Sequence, residues 1–228
     1  MKKRNLIVTM MLTLALVAST AVVAFAGSFN YSFVANGDKT TPKMESAERN
    51  QAASQENIIY DIAIQFNKEV AQGKYNLVSG KDLKAWMDAK KDLLIVDTMG
   101  AKNVANIAIP GAIATWAPLS SQKWTDTGYN KTEFLNTVKA AAKHKQFYNS
   151  KTKKWVKKQP KKSQWKGKKV RYTDTVVVYC GYTGCGRSHQ GAMALKKAGF
   201  TNVYRYGGGI SEWVDLGYPT TGAYGVNQ

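Results

Sequence analysis

The sequence predicts an α/β domain built on a mostly parallel central sheet, and three observations predict it. Short apolar runs bounded by turn residues occur at DLLIVD (92–97), TVVVY (175–179) and NVYRY (202–206), as expected of strands buried on both faces. Stretches with apolar residues at helical spacing separate these runs. Glycines follow the helical stretches at Gly73, Gly199 and Gly217, where a left-handed residue ends a helix. Strands that alternate with helices give a parallel sheet covered by helices.

Taken in order, residues 27–53 are polar, with Gly, Pro and Ser, and read as a linker with a short extended piece at Phe29–Phe33. From Ser54 the pattern is helical, with Ile58, Ile59, Ile62, Phe66 and Val70 on one face. Ser79 is the expected N-cap of a second helix that places Leu83, Trp86 and Met87 together. After the strand ending at Asp97, AIPGAIATW (108–116) reads as a turn at Pro110–Gly111 and a further strand. NKTEFLNTVKAAAKH (130–144) opens with Asn130 and Glu133 at capping-box spacing and turns Phe134, Leu135 and Val138 inward. A helix over Ser188–Ala198, the strand at 202–206 and a short helix in ISEWVDL complete the series.

The 228 residues suffice for one domain with a sizeable core and not for two large ones. A formal charge of +18 implies attraction to an anionic substrate, surface or partner. The N-terminus has the form of a targeting segment. MKKRN supplies positive charge, an apolar run follows, and AFA at 24–26 precedes Gly27 in the small-x-small form of a cleavage site. Residues 1–26 are therefore expected to be a signal peptide, or an uncleaved N-terminal anchor. The folded part, 54–228, is expected outside the cytoplasm: periplasmic, cell-surface or secreted. Cleavage would remove Lys2, Lys3 and Arg4 and leave +15, so the basic character belongs to the mature chain.

Both cysteines fall in YCGYTGCGRSHQG (179–191). In an oxidising compartment two thiols are often a structural disulfide. A bridge across so short a loop contributes little chain-entropy stabilisation, which weakens that reading. Cys180 instead sits where a buried strand ends and a helix soon begins, the position at which open α/β sheets bind ligands. Gly181, Gly184 and Gly186 allow a tight loop whose amides, with the helix N-terminus, form an anion cradle. Tyr182, Thr183 and Cys185 complete the loop, and Arg187 adds a cation. A thiol held there is expected to have a depressed pKa, which makes Cys180 the candidate nucleophile. Cys180, Cys185 and His189 lack a fourth ligand and any familiar metal spacing, so no metal and no cofactor are expected. His189 reads as a first-turn helix residue, and His144 as a surface residue at a helix end.

These residues resemble the rhodanese family of sulfurtransferases over residues about 75–220, the insertion described below excepted. The resemblance rests on DTMGAKNVANIAIPGAI (97–113) and on VVVYC, GRS and ALKKAGFTNVYRYGGGISEWVDLGYP. It implies a three-layer domain in which Cys180 takes sulfane sulfur from an anionic donor of the thiosulfate or polysulfide type. The resulting persulfide passes its sulfur to a thiol or another acceptor, with the loop amides and Arg187 holding the donor. The pattern departs from the family at Met99, where arginine is usual, at Lys102 and Asn103, where acids are usual, and at Ile107–Ala108, where Gly-His is common. Members commonly place four residues between the cysteine and the loop-ending arginine; here six, Gly181 to Gly186, intervene. Cys185 has no counterpart in the simplest loops. It is either a spectator or a resolving thiol that would make this a redox or oxyanion-reducing enzyme cycling a Cys180–Cys185 disulfide.

A lysine-rich insertion, about 117–171, separates the two halves of the resemblance. From Lys139 to Arg171 no residue is acidic, and Tyr148, Trp155 and Trp165 stand among the lysines. It reads either as a solvated loop or hairpin, or as a docking surface for an anionic surface or acidic protein, in which case the domain could be a non-catalytic binding module. Aromatics among lysines also suit single-stranded nucleic acid, a partner that export disfavours.

Overall fold

The structure is a computed structural model and describes residues 46–224. The targeting segment and the extended piece at Phe29–Phe33 lie outside the described residues. Helix α1 (Ser46–Gly73) already includes the last residues of the stretch read as linker. The compact unit that carries the sheet begins at Ala52.

Strands β1 (Asn76–Val78), β2 (Leu93–Asp97), β3 (Ile113–Ala114), β6 (Val170–Tyr179) and β7 (Phe200–Tyr206) form a parallel sheet in the order β1-β7-β6-β2-β3. Period-two alternation divides the core. Leu94, Val96, Val176, Val178 and Val203 face one side and pack on α4 (Lys131–Ala141) and α5 (Arg187–Lys197) through Phe134, Val138, Ala192 and Leu195. Ile95, Val177 and Tyr179 face the other and pack on α2 (Gly80–Asp88) and α6 (Gly209–Asp215) through Leu83, Ile210 and Trp213. A sheet apolar on both faces requires helices on both, which gives the three layers. The expected caps are present: the Ser79 hydroxyl accepts from the Asp82 amide at 3.1 Å, and Asn130 Oδ1 from the Glu133 amide at 3.0 Å.

Three features differ from the sequence-based expectation. Helix α3 (Ala101–Asn106) and strand β1 stand in stretches read without regular structure; both are too short for their pattern to register. Along α1, Ile62, Phe66 and Val70 are half-buried, but Ile58 and Ile59 are 57% and 54% exposed, and among the described residues of this helix the buried ones are Glu69 and Gly73. The segment 117–171 is not a single insertion, because α4 within it lends Phe134 and Val138 to the core.

The lysine-rich part begins beyond α4. Strand β4 (Lys145–Asn149) pairs antiparallel with the first residues of β6, and β5 (Lys154–Val156) pairs with β4. The expected alternative of loop or hairpin thus resolves as a hairpin, followed by two short 3₁₀ turns at Lys162–Gln164 and Lys166–Lys168. Its aromatics pack on one another, Phe147 against Trp165 at 5.6 Å and Tyr148 against Trp155 at 5.4 Å between ring centres. The Arg171 guanidinium lies 4.6 Å from the Trp155 ring centre.

Candidate active site

Strand β6 delivers Cys180 to the carboxyl edge of the sheet, and the start of α6 fixes it there. The Cys180 carbonyl accepts from the Ile210 amide at 2.9 Å, and the Gly181 carbonyl from the Ser211 amide at 3.0 Å. Gly209 makes this approach possible. It has φ +65°, and a Cβ there would lie 2.3 Å from the Cys180 carbonyl oxygen. The loop then turns tightly, the Cys185 amide donating to the Tyr182 carbonyl at 2.9 Å. Its base packs equally closely: a Cβ on Gly186 would meet the Ser120 backbone nitrogen at 2.8 Å.

Tyr182 and Thr183 stand exposed at the tip, beside an open cleft of about 600 Å³ lined also by Phe66, Leu77, Ser79 and Glu212. Beneath the tip, Cys180 is 0% and Cys185 8% exposed, and both are free thiols. The Cys180 sulfur lies 2.7 Å from the Cys185 carbonyl oxygen and 3.2 Å from Ser188 Oγ. The Tyr182 carbonyl lies farther off, at 3.9 Å.

The two thiols are electrostatically unequal, and not in the expected sense. Burial pushes the Cys180 thiol well above the usual range, because a thiolate there has lost its water. Cys185 is lowered to about 6, first by the hydrogen bond from the Cys180 thiol and then by the amides of Arg187 and Gly181 and the Arg187 charge. The loop amides expected to favour a Cys180 thiolate thus act in the same direction on Cys185. The Ser188 hydroxyl and amide favour the Cys180 thiolate, but burial outweighs them.

Arg187 also differs from expectation. Its guanidinium donates to the Ala117 carbonyl and, at 3.4 Å, to the Tyr129 hydroxyl. It lies 4.3 Å from the centre of the Trp116 ring, which stacks with Tyr129. A planar cation finds a better seat on that aromatic pair than inside the loop.

The cation that does reach the loop is Arg205 of β7. Its Nε donates to Ser188 Oγ at 2.9 Å, and its Nη1 to Glu69 Oε2 at 2.7 Å and to the Tyr75 hydroxyl at 3.0 Å. Nη2 reaches the Cys185 carbonyl at 3.5 Å. Glu69 is also bonded by Ser120 and by Gln65. Tyr75 bonds His189 Nδ1 at 2.9 Å, and burial lowers the His189 pKa. His144, by contrast, is mostly exposed beside Asp174.

Sequence reading did not select Arg205, Glu69, Tyr75 or the Ser188 hydroxyl. Two signals were available. Arg205 is the one charged residue of the strand Phe200–Tyr206, and Glu69 lies at helical spacing between Phe66 and Gly73 on the inward stripe. Buried charges occur almost only as partners, so the two odd charges point to each other.

A parallel sheet with helices on both faces and a cysteine loop running into a helix N-terminus defines a three-layer α/β domain with a thiol site at its carboxyl edge. The family model for the rhodanese-like domain matches residues 79–216, and the chain belongs to that family. Several solved structures are similar. A thiosulfate sulfurtransferase from Pseudomonas aeruginosa is 16% identical with a TM-score of 0.45, over 69% of this chain and 22% of that one. The BH2092 protein from Bacillus halodurans is 16% identical with a TM-score of 0.41, over 72% and 88%. The rhodanese-like domain of the Alr3790 protein from Anabaena sp. is 14% identical with a TM-score of 0.41, over 65% and 80%. No curated protein matches the sequence.

Proposed function

We propose that the protein is a sulfurtransferase that carries sulfane sulfur on Cys180. The observation that carries this reading is a pair of buried free thiols in the loop at the carboxyl end of β6, in a chain of the rhodanese-like family. In this reading Cys185 takes the Cys180 proton, and the Cys180 thiolate attacks the outer sulfur of a thiosulfate-type donor. A new S–S bond forms, the donor's S–S bond breaks, and sulfite leaves with the electron pair. The Cys180 persulfide then loses its outer sulfur to an attacking thiolate, which becomes the persulfide, and the Cys180 thiolate is regenerated. The test is the intact mass of the purified protein before and after thiosulfate or polysulfide. A gain of one sulfur atom that disappears in Cys180→Ser supports the reading, and no adduct with either donor refutes it.

The closeness of the two free cysteines, with the Cys180 sulfur 2.7 Å from the Cys185 carbonyl oxygen, favours a second outcome for the same persulfide. The Cys185 thiolate can attack the Cys180 sulfur, forming the Cys180–Cys185 disulfide and expelling hydrosulfide. An external dithiol would then have to reduce the bridge. In Cys185→Ser this route predicts sulfur loading without sulfide release; unchanged release would remove it.

The same proposal includes export and docking. The basic, apolar N-terminus supports a location outside the cytoplasm, although its apolar run lies outside the described residues. No helix among the described residues is long and apolar enough to cross a membrane. The acid-free hairpin supports contact with an anionic surface or acidic partner.

A further inference from the structure

Arg205 bonds the two nearest of the three partners of the Cys180 sulfur. Of the groups closest to that sulfur, one is the Ser188 hydroxyl and the other the Cys185 carbonyl. Arg205 donates to the first through Nε and to the second through Nη2. A serine oxygen that accepts a hydrogen bond from a guanidinium has one fewer acceptor position and keeps one proton to give. In the thiol state Cys180 Sγ donates to Ser188 Oγ at 3.2 Å; once the sulfur is an anion, the oxygen, held by Nε of Arg205 on its other side, can turn its proton to the sulfur. The hydroxyl then donates to a thiolate or persulfide anion, and charge-assisted bonds of this kind are the stronger ones.

Arg205 is 0% exposed, so its direction depends on what holds it. Register pairs it with Val178, two residues before Cys180, on the sheet face that carries α5. Glu69 and Tyr75 take Nη1, and Phe66 lies under the guanidinium at 4.6 Å. Phe66, Glu69 and Tyr75 all precede the residues that match the family, 79–216. The site is thus braced by residues that lie before the matched span.

We infer that Arg205, anchored by Glu69 of α1, is a positioning residue that aims the Ser188 hydroxyl at the Cys180 sulfur and so stabilises negative charge there. The role of that charge rests on the sulfur-transfer reading; the geometry does not. Arg187 does not duplicate it, because its guanidinium is engaged with Ala117, Trp116 and Tyr129.

The test is the pH profile of Cys180 alkylation by iodoacetamide, read in the Cys185→Ser protein so that one thiol reports. Ser188→Ala and Arg205→Met each move the midpoint to higher pH and slow alkylation at neutral pH by about tenfold. Their double variant shifts it no further, since the arginine acts through the serine. Glu69→Gln shifts it in the same direction by less. A merely structural arginine would lower the melting temperature and leave the midpoint in place. That result, or additive shifts in the double variant, overturns the inference. If Arg205→Met does not fold, Arg205→Lys, which keeps the charge and loses the fork, enters the same comparison with Ser188→Ala under the same two outcomes. Alkylation needs no sulfur donor, so a protein that fails to transfer sulfur but keeps this coupling refutes the proposed function and leaves the inference standing.

Discussion

At its carboxyl end, β6 hands Cys180 to a dry site in which a guanidinium, a carboxylate, two hydroxyls and two thiols are fixed by named partners. At its amino end, ten residues and about 30 Å away, the same strand pairs with a hairpin crowded with lysines and lacking acids. Burial explains the difference. A buried charge must be paired and hydrogen-bonded, so each group at the carboxyl end constrains its neighbours. Solvated lysines need no partner, so the amino end constrains little beyond the sign of its field. Substitutions at the two ends should therefore differ in kind as well as size.

The largest effect is expected at Cys180. Cys180→Ser should reduce sulfur loading from thiosulfate to the uncatalysed level, measured by mass or by sulfite release, while Cys185→Ser should still load. Equal loss in both would mean that the two thiols have a joint role in the first step.

Next comes the buried ion pair. Glu69→Ala leaves Arg205 charged, buried and unpaired, and should cost ~3–5 kcal/mol in denaturant unfolding. Lys84→Ala, which breaks the surface pair with Asp88, should cost less than ~1 kcal/mol. Similar costs would contradict the contrast drawn here.

A smaller effect is predicted at Asp97, buried at the end of β2 and raised to about 6, chiefly by desolvation. Among the described residues its carboxyl oxygen Oδ2 has no hydrogen-bond partner, and Oδ1 accepts from the Met99 amide at 2.7 Å. A carboxyl raised on folding binds its proton more tightly in the native state. It therefore weakens the fold progressively as pH rises from about 4 to 6 and fully above that. Asp97→Asn should be the more stable protein at neutral pH, on the order of 2–3 kcal/mol, with the gain vanishing near pH 4. Glu69 has the opposite sign: it is held below the usual range, and its contribution is lost as pH falls. The comparison is therefore between wild type and Asp97→Asn at each pH.

The smallest effect on the fold is expected at the hairpin. Changing Lys153, Lys154, Lys157 and Lys158 to Gln should alter stability by no more than ~0.5 kcal/mol and leave sulfur loading unchanged. It should weaken salt-sensitive binding to vesicles containing anionic phospholipid. Undiminished binding would take the docking role away from the hairpin.

Most of the fold was legible in the chain, because β2, β6 and β7 carry unbroken apolar runs and the helix starts at Ser79 and Asn130 carry their own capping residues. The position of Cys180 followed from the same pattern. The charges around it did not. Arg187 has the right place in the loop, but Trp116 and Tyr129, distant in sequence, offer its side chain another seat. Arg205 and Glu69 are 136 residues apart, and only the folded chain brings them together. The relative acidity of two neighbouring thiols depends on which sulfur the loop amides reach, a matter of backbone direction that composition does not encode.

The central claim is that Cys180 carries sulfur. Site-resolved mass spectrometry of the purified protein after exposure to thiosulfate or polysulfide tests it most directly. The expected result is one added sulfur atom on Cys180, retained in Cys185→Ser and absent from Cys180→Ser. An adduct on Cys185 that survives Cys180→Ser, or no adduct with either donor, would contradict it.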